Sequence, residues 1–357
     1  MLKFIKTNWV LVTALLLLII LSIPLLYFGN LLKMMSSQNK ASFGSSQTQP
    51  LDIGVCFNSL MEARWNKEWA VMEDTAGRQR LSIGLKVAHH SLLRQISQIN
   101  DLLARGIKVL ILNPVSQKGL EDVLEEARSK GVKIIFYDEM TAGPGDLFLG
   151  VDYRDMGRIQ AKTLLEKAGP GNYLVFKGPG NSYHSEMLYS GQQEILKKKN
   201  EVGADILSVN ALNHWSADEA VTKIRATIAH QKLQGILIPE DLIAESVVNF
   251  YREQKSPLPF ITGAGAEFTA CQRILRREQL MTVAWNIPEL AKTAIVSANR
   301  FIQKKKSFGS TMTFGNRKLP AYICPVYFVD STNLQSVLVH KLKLYTTADL
   351  TTIGNIK

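Results

Sequence analysis

The chain has 357 residues, of which 46% are hydrophobic and 20% are charged, and its formal net charge is +11. This length exceeds a typical domain of about 100–200 residues, so two lobes are expected. The composition excludes a disordered chain, which would have fewer apolar residues and more charge. The 3 cysteines exclude a disulfide scaffold. Because no CxxC pair is present, we expect no metal site. We expect no cofactor either, since the sequence has no dinucleotide fingerprint and no phosphate-loop motif.

The positive charge lies at the two ends of the chain. Residues 1–50 carry +4 and residues 298–357 carry +7, whereas residues 51–297 are neutral. A nucleic-acid-binding protein usually carries its basic patch on the folded domain, interleaved with aromatic side chains. We therefore predict no nucleic-acid partner. The pattern is compatible with attraction to an anionic membrane or cell-wall surface, and also with a basic face that is simply solvated.

The amino-terminal region has the pattern of a membrane anchor. Residues Trp9–Phe28 carry no charge and follow Lys3 and Lys6. About 20 apolar residues span a bilayer as a helix, whereas the apolar core of a signal peptide has about 7–15. Residues 1–30 are predicted to be a transmembrane anchor, with a long cleaved signal peptide as the alternative. The Ser/Gln-rich residues 31–50 are predicted to be a flexible spacer, and the remainder to lie on the extracytoplasmic side of the cell membrane.

From residue 51 onward, short apolar segments alternate with helical patterns. In the first run these are strand 51–57, a helix through Trp65, Trp69 and Met72, strand 81–87, helix 91–105, strand 109–112, helix 118–130 and strand 132–137. In the second run they are helix 155–168, strand 173–176, helix 185–200, strand 204–209, helix 216–230, strand 235–238, helix 242–254, strand 260–262, helix 267–277, strand 281–283, helix 287–305 and a strand-rich segment 319–329.

This alternation indicates βαβ units and parallel sheets. The fold class is therefore predicted to be α/β, with two doubly wound lobes of nearly equal size. In such sheets a ligand binds at the carboxyl ends of the strands, so we expect a site between the lobes.

Several short motifs resemble the periplasmic sugar-binding proteins of type I architecture, and most closely their xylose-binding members. The similarity covers residues 51–350, and its order and spacing are more specific than any single motif. The motifs are Glu62-Ala63-Arg64-Trp65, Gln95-Ile96-Ser97-Gln98-Ile99, Arg105-Gly106-Ile107, Glu126-Ala127-Arg128, Gly131-Val132-Lys133, Tyr137-Asp138-Glu139-Met140, Gln160-Ala161-Lys162, Gly171-Asn172-Tyr173 and Met281-Thr282-Val283, followed by the closing segment from Leu319 to Tyr345.

The resemblance implies a particular division of the chain. It implies two lobes joined by a three-strand hinge, with one transmembrane helix ahead of them. The three crossings are expected near 152–154, 284–287 and 323–325. The first lobe would be 51–152 with 287–323, and the second would be 153–286 with 324–357.

The resemblance also implies a mechanism and three contact residues. Two lobes would close on a monosaccharide without covalent chemistry, so no enzymatic activity is expected. Arg64 would supply a cation, Trp65 a surface for stacking, and Asp138 an acceptor for sugar hydroxyls. The alternatives are an exposed helix start with a packed tryptophan, and for Asp138 a helix or turn cap.

Further candidate ligand-binding residues stand where this sequence departs from the xylose-binding pattern. Glu139 takes the place of an arginine, and Trp285 takes the place of a lysine near the hinge. These changes leave the fold prediction intact, and they leave the ligand open between a pentose, a different ligand and a lost one. The five residues are Glu139, His184, Glu240, Asp241 and Trp285.

We interpret the chain as an extracytoplasmic, membrane-anchored sugar-binding protein that signals to a membrane sensor histidine kinase. The first alternative is a tethered solute-binding component of a sugar ABC importer, with the permease as its partner. The second is a degenerate lobe pair that binds a ligand other than a sugar. A DNA-bound repressor would need a helix-turn-helix at the start of the chain, where the apolar segment stands instead.

Overall fold

The computed structural model describes residues 50–61, 63–305 and 310–354. The predicted transmembrane anchor, and the predicted spacer as far as residue 49, lie outside these residues. Within the described ranges, no helix combines the length and the apolar character needed to cross a membrane.

The strands are short, and most of their side chains are buried or half-buried. In chain order they are β1 (Ile53–Phe57), β2 (Ile83–Val87), β3 (Val109–Leu112), β4 (Lys133–Tyr137), β5 (Leu147–Val151), β6 (Gly171–Lys177), β7 (Ala204–Ala211), β8 (Gly235–Leu237), β9 (Phe260–Ile261), β10 (Thr282–Trp285), β11 (Thr311–Phe314), β12 (Arg317–Cys324) and β13 (Val326–Val329).

Helices connect most of the strands, and several begin with a side chain that caps the first turn. In chain order they are α1 (Ala63–Arg78), α2 (Leu92–Ala104), α3 (Glu121–Ser129), α4 (Tyr153–Ala168), α5 (Tyr183–Leu196), α6 (Ala217–Ile228), α7 (Asp241–Glu253), α8 (Phe268–Leu275), α9 (Ile287–Ile302) and α10 (Thr347–Gly354).

The first lobe is built on a seven-stranded sheet in the order β11-β12-β5-β4-β3-β1-β2. Its strands run parallel except for the antiparallel pair β11 and β12. Side chains of α1 and α9 pack on one face of the sheet. Side chains of α2 and α3 pack on the other face. Because both faces are covered, strands such as β1 and β3 are apolar along their whole length and fully buried.

The second lobe is built on a four-stranded parallel sheet in the order β7-β6-β8-β9. Helices α6 and α7 contribute to the apolar core on one side of this sheet. Helix α4 contributes to the core on the other side, where α5 also packs. Each lobe therefore has the layered architecture of a doubly wound α/β domain.

Strands β10 and β13 form a small antiparallel sheet. The three predicted crossings between the lobes include Asp152 between β5 and α4, Asn286 between β10 and α9, and Pro325 between β12 and β13. On either side of Pro325, Cys324 pairs with Val151 in the seven-stranded sheet whereas Val326 pairs with Trp285.

The structure confirms the α/β fold with parallel sheets, and it contains elements that the sequence analysis did not predict, among them β5, β11 and α10. Strand β5 was missed although its five residues, Leu147–Val151, are apolar and buried. Its stability comes from pairing with β4 and β12. The segment 319–329 contains two strands that belong to different sheets. The lobe boundaries remain a prediction.

Helices α4 and α5 approach each other closely at two glycines. A Cβ atom at Gly157 would overlap the carbonyl oxygen of Leu188, and one at Gly191 would overlap the carbonyl oxygen of Arg154. Because neither neighbour is a flexible side chain, an added methyl group would push the helices apart. This contact sets how closely the start of α4 packs on the middle of α5.

We expect Gly157→Ala to lower the free energy of unfolding by about 1–3 kcal/mol, because overpacking against backbone is relieved only by moving a helix. Gly77→Ala is the matched control, since Gly77 lies in α1 with no atom within 4 Å of an added Cβ. It should stabilise the protein by about 0.5–1 kcal/mol. Urea unfolding of both variants measures the difference. Equal effects at the two positions would contradict the close-approach argument.

Candidate functional site

A cavity of ≈ 660 Å³ lies between the lobes. Its lining includes residues that directly follow strands of both sheets, such as Asn58 after β1, Asp138 after β4 and Trp215 in the turn after β7. Its volume falls in the range of about 300–1,000 Å³ that is typical of small-molecule sites. A smaller inner pocket of ≈ 20 Å³ is lined by Arg64, His184 and Trp285 among others. The predicted edge of the sheets therefore carries a cavity.

Arg64 and Asp138 form a buried ion pair at the base of this cleft. Arg64 Nη2 donates to Asp138 Oδ2 at 2.6 Å, and both side chains are nearly inaccessible to water. Arg64 Nη1 donates to Glu68 Oε1 at 3.4 Å. Although burial works in the opposite direction, the Arg64 guanidinium holds the pKa of Asp138 below its usual value. Asp138 is therefore a carboxylate whose charge is neutralised inside the protein.

The other oxygen of Asp138 is also engaged. Oδ1 accepts a hydrogen bond from the hydroxyl of Tyr153, the first residue of α4 in the second lobe. Asp138 itself adopts φ = 69°, which is a left-handed conformation that costs free energy for a residue with a Cβ. This carboxylate therefore links the two lobes. It also lines the cavity, and its expected role as an acceptor for sugar hydroxyls remains a prediction.

Trp65 packs in the first-lobe core and also lines the cavity. The Arg64 guanidinium carbon lies 3.9 Å from the Trp65 ring centroid and 5.3 Å from that of Trp285. Trp65 also packs against Phe57 at a centroid distance of 5.1 Å, and the residue is only 5% exposed. The two indoles thus hold the guanidinium between them by cation–π attraction.

His184 occupies the second-lobe side of the cleft. Its ring stacks on that of Tyr153 at a centroid distance of 3.7 Å, and it lies 4.6 Å from the ring of Trp215. Burial lowers the pKa of His184 to about 3, so the imidazole is neutral at physiological pH. The histidine therefore provides a polar but uncharged group at the cleft.

Glu139 belongs to the first lobe but caps a helix of the second. Its carboxylate accepts hydrogen bonds from the backbone N–H of Tyr183 at 2.8 Å and of His184 at 3.3 Å, and from the hydroxyl of Ser182. A carboxylate is favourable at this place, because the first N–H groups of a helix have no partner within the helix. Burial nevertheless raises the pKa of Glu139 to about 8. Glu139, which takes the place of an arginine in the xylose-binding pattern, thus links the two lobes.

Asp241 and Glu240 differ in their surroundings. Asp241 accepts hydrogen bonds from Gln279 Nε2 and Thr282 Oγ1, each at 2.8 Å, and from the backbone N–H of Glu267 at 3.1 Å. These bonds tie the start of α7 to β10 and to the turn before α8, although Asp241 also borders the inner pocket. Glu240 lines both the cavity and the inner pocket.

The structure brings all eight predicted residues around the two adjoining pockets. Six line the cavity, whereas Asp241 and Trp285 line the inner pocket only. Their role as ligand contacts remains a prediction. Among the described residues, no group of three or more His, Cys, Asp or Glu side chains is placed to hold a metal ion.

Several lining residues were missed by the sequence analysis. Trp215, His214 and His90 follow strand ends and adopt positive φ angles of 59°, 47° and 60°. The His90 and His214 rings lie 5.5 Å apart and come from opposite lobes. Asn58 also lines the cavity, and within the described part of the chain its Oδ1 has no hydrogen-bond partner. Their positions after apolar strands were the available signal, since ligands bind at that edge.

The fold and the cleft define a two-lobed binding protein. A family model for the periplasmic binding protein domain matches residues 53–306, so the chain belongs to that family. The family consists of binding proteins that are not enzymes. Its members act outside the cytoplasm, and the relatives found for this chain are sugar-binding proteins.

Two relatives illustrate the similarity. The D-xylose-binding periplasmic protein of Haemophilus influenzae is 24% identical over 301 residues, which cover 83% of this chain and 91% of the relative. The multiple sugar-binding periplasmic protein SbpA of Azospirillum brasilense is 25% identical over 313 residues, which cover 80% of this chain and 88% of the relative. Both alignments therefore extend over nearly the whole of the relative.

Solved structures show the same architecture. An ABC transporter solute-binding protein of Clostridium phytofermentans with bound β-D-glucose superposes with a TM-score of 0.76 at 25% identity, and covers 84% of this chain and 99% of that protein. A carbohydrate transporter solute-binding protein of Chloroflexus aurantiacus in complex with D-glucose gives a TM-score of 0.77 at 22% identity, with 85% and 98% covered.

We expect Asp138→Ala to lower the free energy of unfolding by about 3–5 kcal/mol, because it leaves the Arg64 guanidinium buried without its carboxylate. Asp74→Ala is the matched control: it removes the partner of Arg78 in an ion pair whose side chains are 63% and 58% exposed. It should have a far smaller effect, since exposed pairs contribute little. Chemical denaturation measures both variants. An Asp138 variant as stable as the wild type would contradict the buried ion pair.

Proposed function

We propose that the protein binds an uncharged monosaccharide in the cavity between its lobes. The observation that carries this proposal is the lining itself, in which aromatic rings stand beside polar groups at the carboxyl ends of both sheets. Trp215 is only half-buried and offers a ring for the C–H face of a sugar, while Asn58 Oδ1 offers an acceptor for a hydroxyl. A monosaccharide has both features, because its hydroxyls can bond to the polar groups while its C–H face packs on the Trp215 ring.

The charge around the cavity favours a neutral ligand over an anionic one. Among the described lining residues, Arg64 is the one Lys or Arg side chain, and it is paired with Asp138. Five carboxylate side chains line the same cavity: Asp138, Glu139, Asp218, Glu240 and Glu245. Asp138 is neutralised by Arg64, Glu245 pairs with Arg273 at 2.9 Å, and burial raises the pKa of Glu139 to about 8, so the negative charge at the cavity comes mainly from Asp218 and Glu240. A sugar acid or sugar phosphate would meet these carboxylates with no described lining cation besides the paired Arg64 to neutralise it, whereas an uncharged sugar needs no such cation.

We expect D-xylose or D-glucose to bind the full chain, and D-glucuronate to bind at least tenfold more weakly or not at all. Trp215→Ala and Asn58→Ala should each weaken binding of the neutral sugar by about tenfold, because each loses a contact of roughly 1–2 kcal/mol. Isothermal titration calorimetry measures all three ligands.

Asn200→Ala is the control for that experiment. Asn200 is exposed and does not line the cavity, so its loss should leave the affinity unchanged. The absence of heat with any pentose or hexose at millimolar concentration would overturn the proposal. It would favour the alternative in which the altered cleft binds a ligand other than a sugar.

We further propose that the protein acts as a membrane-anchored receptor that reports sugar occupancy to a sensor histidine kinase. The uncharged run Trp9–Phe28 and the Ser/Gln-rich spacer behind it support tethering. A receptor tethered beside its partner gains by effective concentration, because both are confined to one membrane. Signalling then requires only that the partner bind the closed form more tightly than the open form.

The second candidate role is the solute-binding component of a sugar ABC importer. It is favoured by the solved structures that resemble this chain, which are solute-binding proteins of transporters. In that role a permease would receive the closed form, and the anchor would keep the protein near it. The two roles require the same cleft, so affinity measurements do not separate them.

A deletion strain separates the roles through sugar uptake and sugar-dependent transcription. If the protein is a sensor, the deletion should abolish induction, and expression of the transport genes from an independent promoter should restore uptake without restoring induction. Complementation with the full chain is the control and should restore both. Loss of uptake despite that independent promoter would assign the protein to the importer and overturn the sensing role.

A further inference from the structure

The inner pocket is a distinct compartment at the deep end of the cleft. Its lining includes Arg64 from the first lobe, His184 and Glu240 from the second lobe, and Trp285 next to the predicted crossing at Asn286. It adjoins the larger cavity, because Arg64, His184, Glu240 and Leu242 line both. A ligand in the cavity therefore stands next to it.

Two buried polar atoms of its lining lack hydrogen-bond partners among the described residues. They are Nε1 of Trp285 and Nε2 of His184. Trp285 is 4% exposed and His184 is 6% exposed, so bulk water does not satisfy either atom. A buried polar atom without a partner costs about 1–3 kcal/mol, which is a strong reason to expect an occupant.

The two atoms have complementary hydrogen-bonding character. An indole Nε1–H can only donate. The other nitrogen of His184, Nδ1, lies 3.8 Å from Glu240 Oε1, and a nearby carboxylate favours the tautomer that carries its proton on Nδ1. Nε2 of the neutral ring is then an acceptor. The described residues that line the pocket therefore carry one unsatisfied donor and one unsatisfied acceptor, on different elements.

A hydroxyl group fits this pair, because it is one donor and one acceptor in a single atom group. A volume of ≈ 20 Å³ holds one such group or one water molecule, which needs about 10–15 Å³. We propose that the inner pocket is a single-hydroxyl subsite, in which one hydroxyl of the bound sugar accepts from Trp285 Nε1–H and donates to His184 Nε2. This inference rests on the proposed sugar-binding function.

The subsite makes a specific demand on the ligand. A sugar that lacks the buried hydroxyl leaves both atoms without partners again, so it loses more than one hydrogen bond. This loss of affinity arises at Trp285 Nε1 and His184 Nε2. If either atom is removed by substitution, the deoxy sugar should lose less affinity relative to its parent sugar. The hydroxyl and the two side chains are thus expected to be energetically coupled.

The test is a set of thermodynamic cycles. Calorimetry is carried out on the full chain with D-glucose and D-xylose, and then with the monodeoxy analogues of whichever sugar binds more tightly. One analogue should bind the wild type at least tenfold more weakly than its parent sugar. In Trp285→Phe and in His184→Phe, the same analogue should bind within about threefold of the parent. Trp285→Phe and His184→Phe change different elements of the protein. If one variant folds poorly, the other still tests the subsite.

Trp69→Phe is the matched control, because Trp69 packs on the first-lobe core and lines neither pocket. It should retain the full penalty for the sensitive analogue. If sugar binds but the deoxy penalties are the same in wild type and variants, the pocket holds a water molecule and the subsite is wrong. If no sugar binds at all, the proposed function itself fails, which is a different and separately visible result.

Discussion

The buried guanidinium of Arg64 is the constraint on which the cleft depends. A cation removed from water needs a carboxylate and further polar partners, or its burial costs several kcal/mol. Asp138 provides the carboxylate, Glu68 a second acceptor, and the indoles of Trp65 and Trp285 cover the faces of the cation. These groups come from α1, from the end of β4 and from β10, so one charge fixes the mutual position of three elements.

The same interaction reaches the second lobe. The Tyr153 hydroxyl donates to Asp138 Oδ1, and the Tyr153 ring stacks on the His184 ring at a centroid distance of 3.7 Å. Helices α4 and α5 also approach each other closely at Gly157 and Gly191, where the start of α4 meets the middle of α5. Because Asp138 and Arg64 satisfy each other, recognition of a ligand falls to polar groups that they position. This division explains how a cleft with a strong internal ion pair can still suit an uncharged ligand.

The sequence was sufficient to predict the architecture, but it did not predict which side chains of the site bond to each other. Alternating apolar strands and amphipathic helices predicted the parallel sheets, because covered strands must be apolar throughout, as β1 and β3 are. Comparison with the pattern of the sugar-binding family predicted Arg64, Asp138 and His184 as site residues, and all three line the cavity. The partners of Asp138 could not be predicted, since Tyr153 and Arg64 are distant in sequence and meet only in the folded chain. Trp215 was missed because its turn carries no motif.

The cap that Glu139 forms on α5 determines how such a cleft can open. On that flank Gln117 N–H also donates to the carbonyl oxygen of Asn181, so strand-end and helix-start groups of the two lobes are bonded side by side. The rings of His90 and His214 also meet across the cleft, at a centroid distance of 5.5 Å. A rotation that opens the cleft along the Glu139 flank has to break the hydrogen bonds of the cap and expose the first N–H groups of α5 to water. The cap therefore contributes to the free-energy difference between the closed and the open forms, and a weaker cap would favour opening.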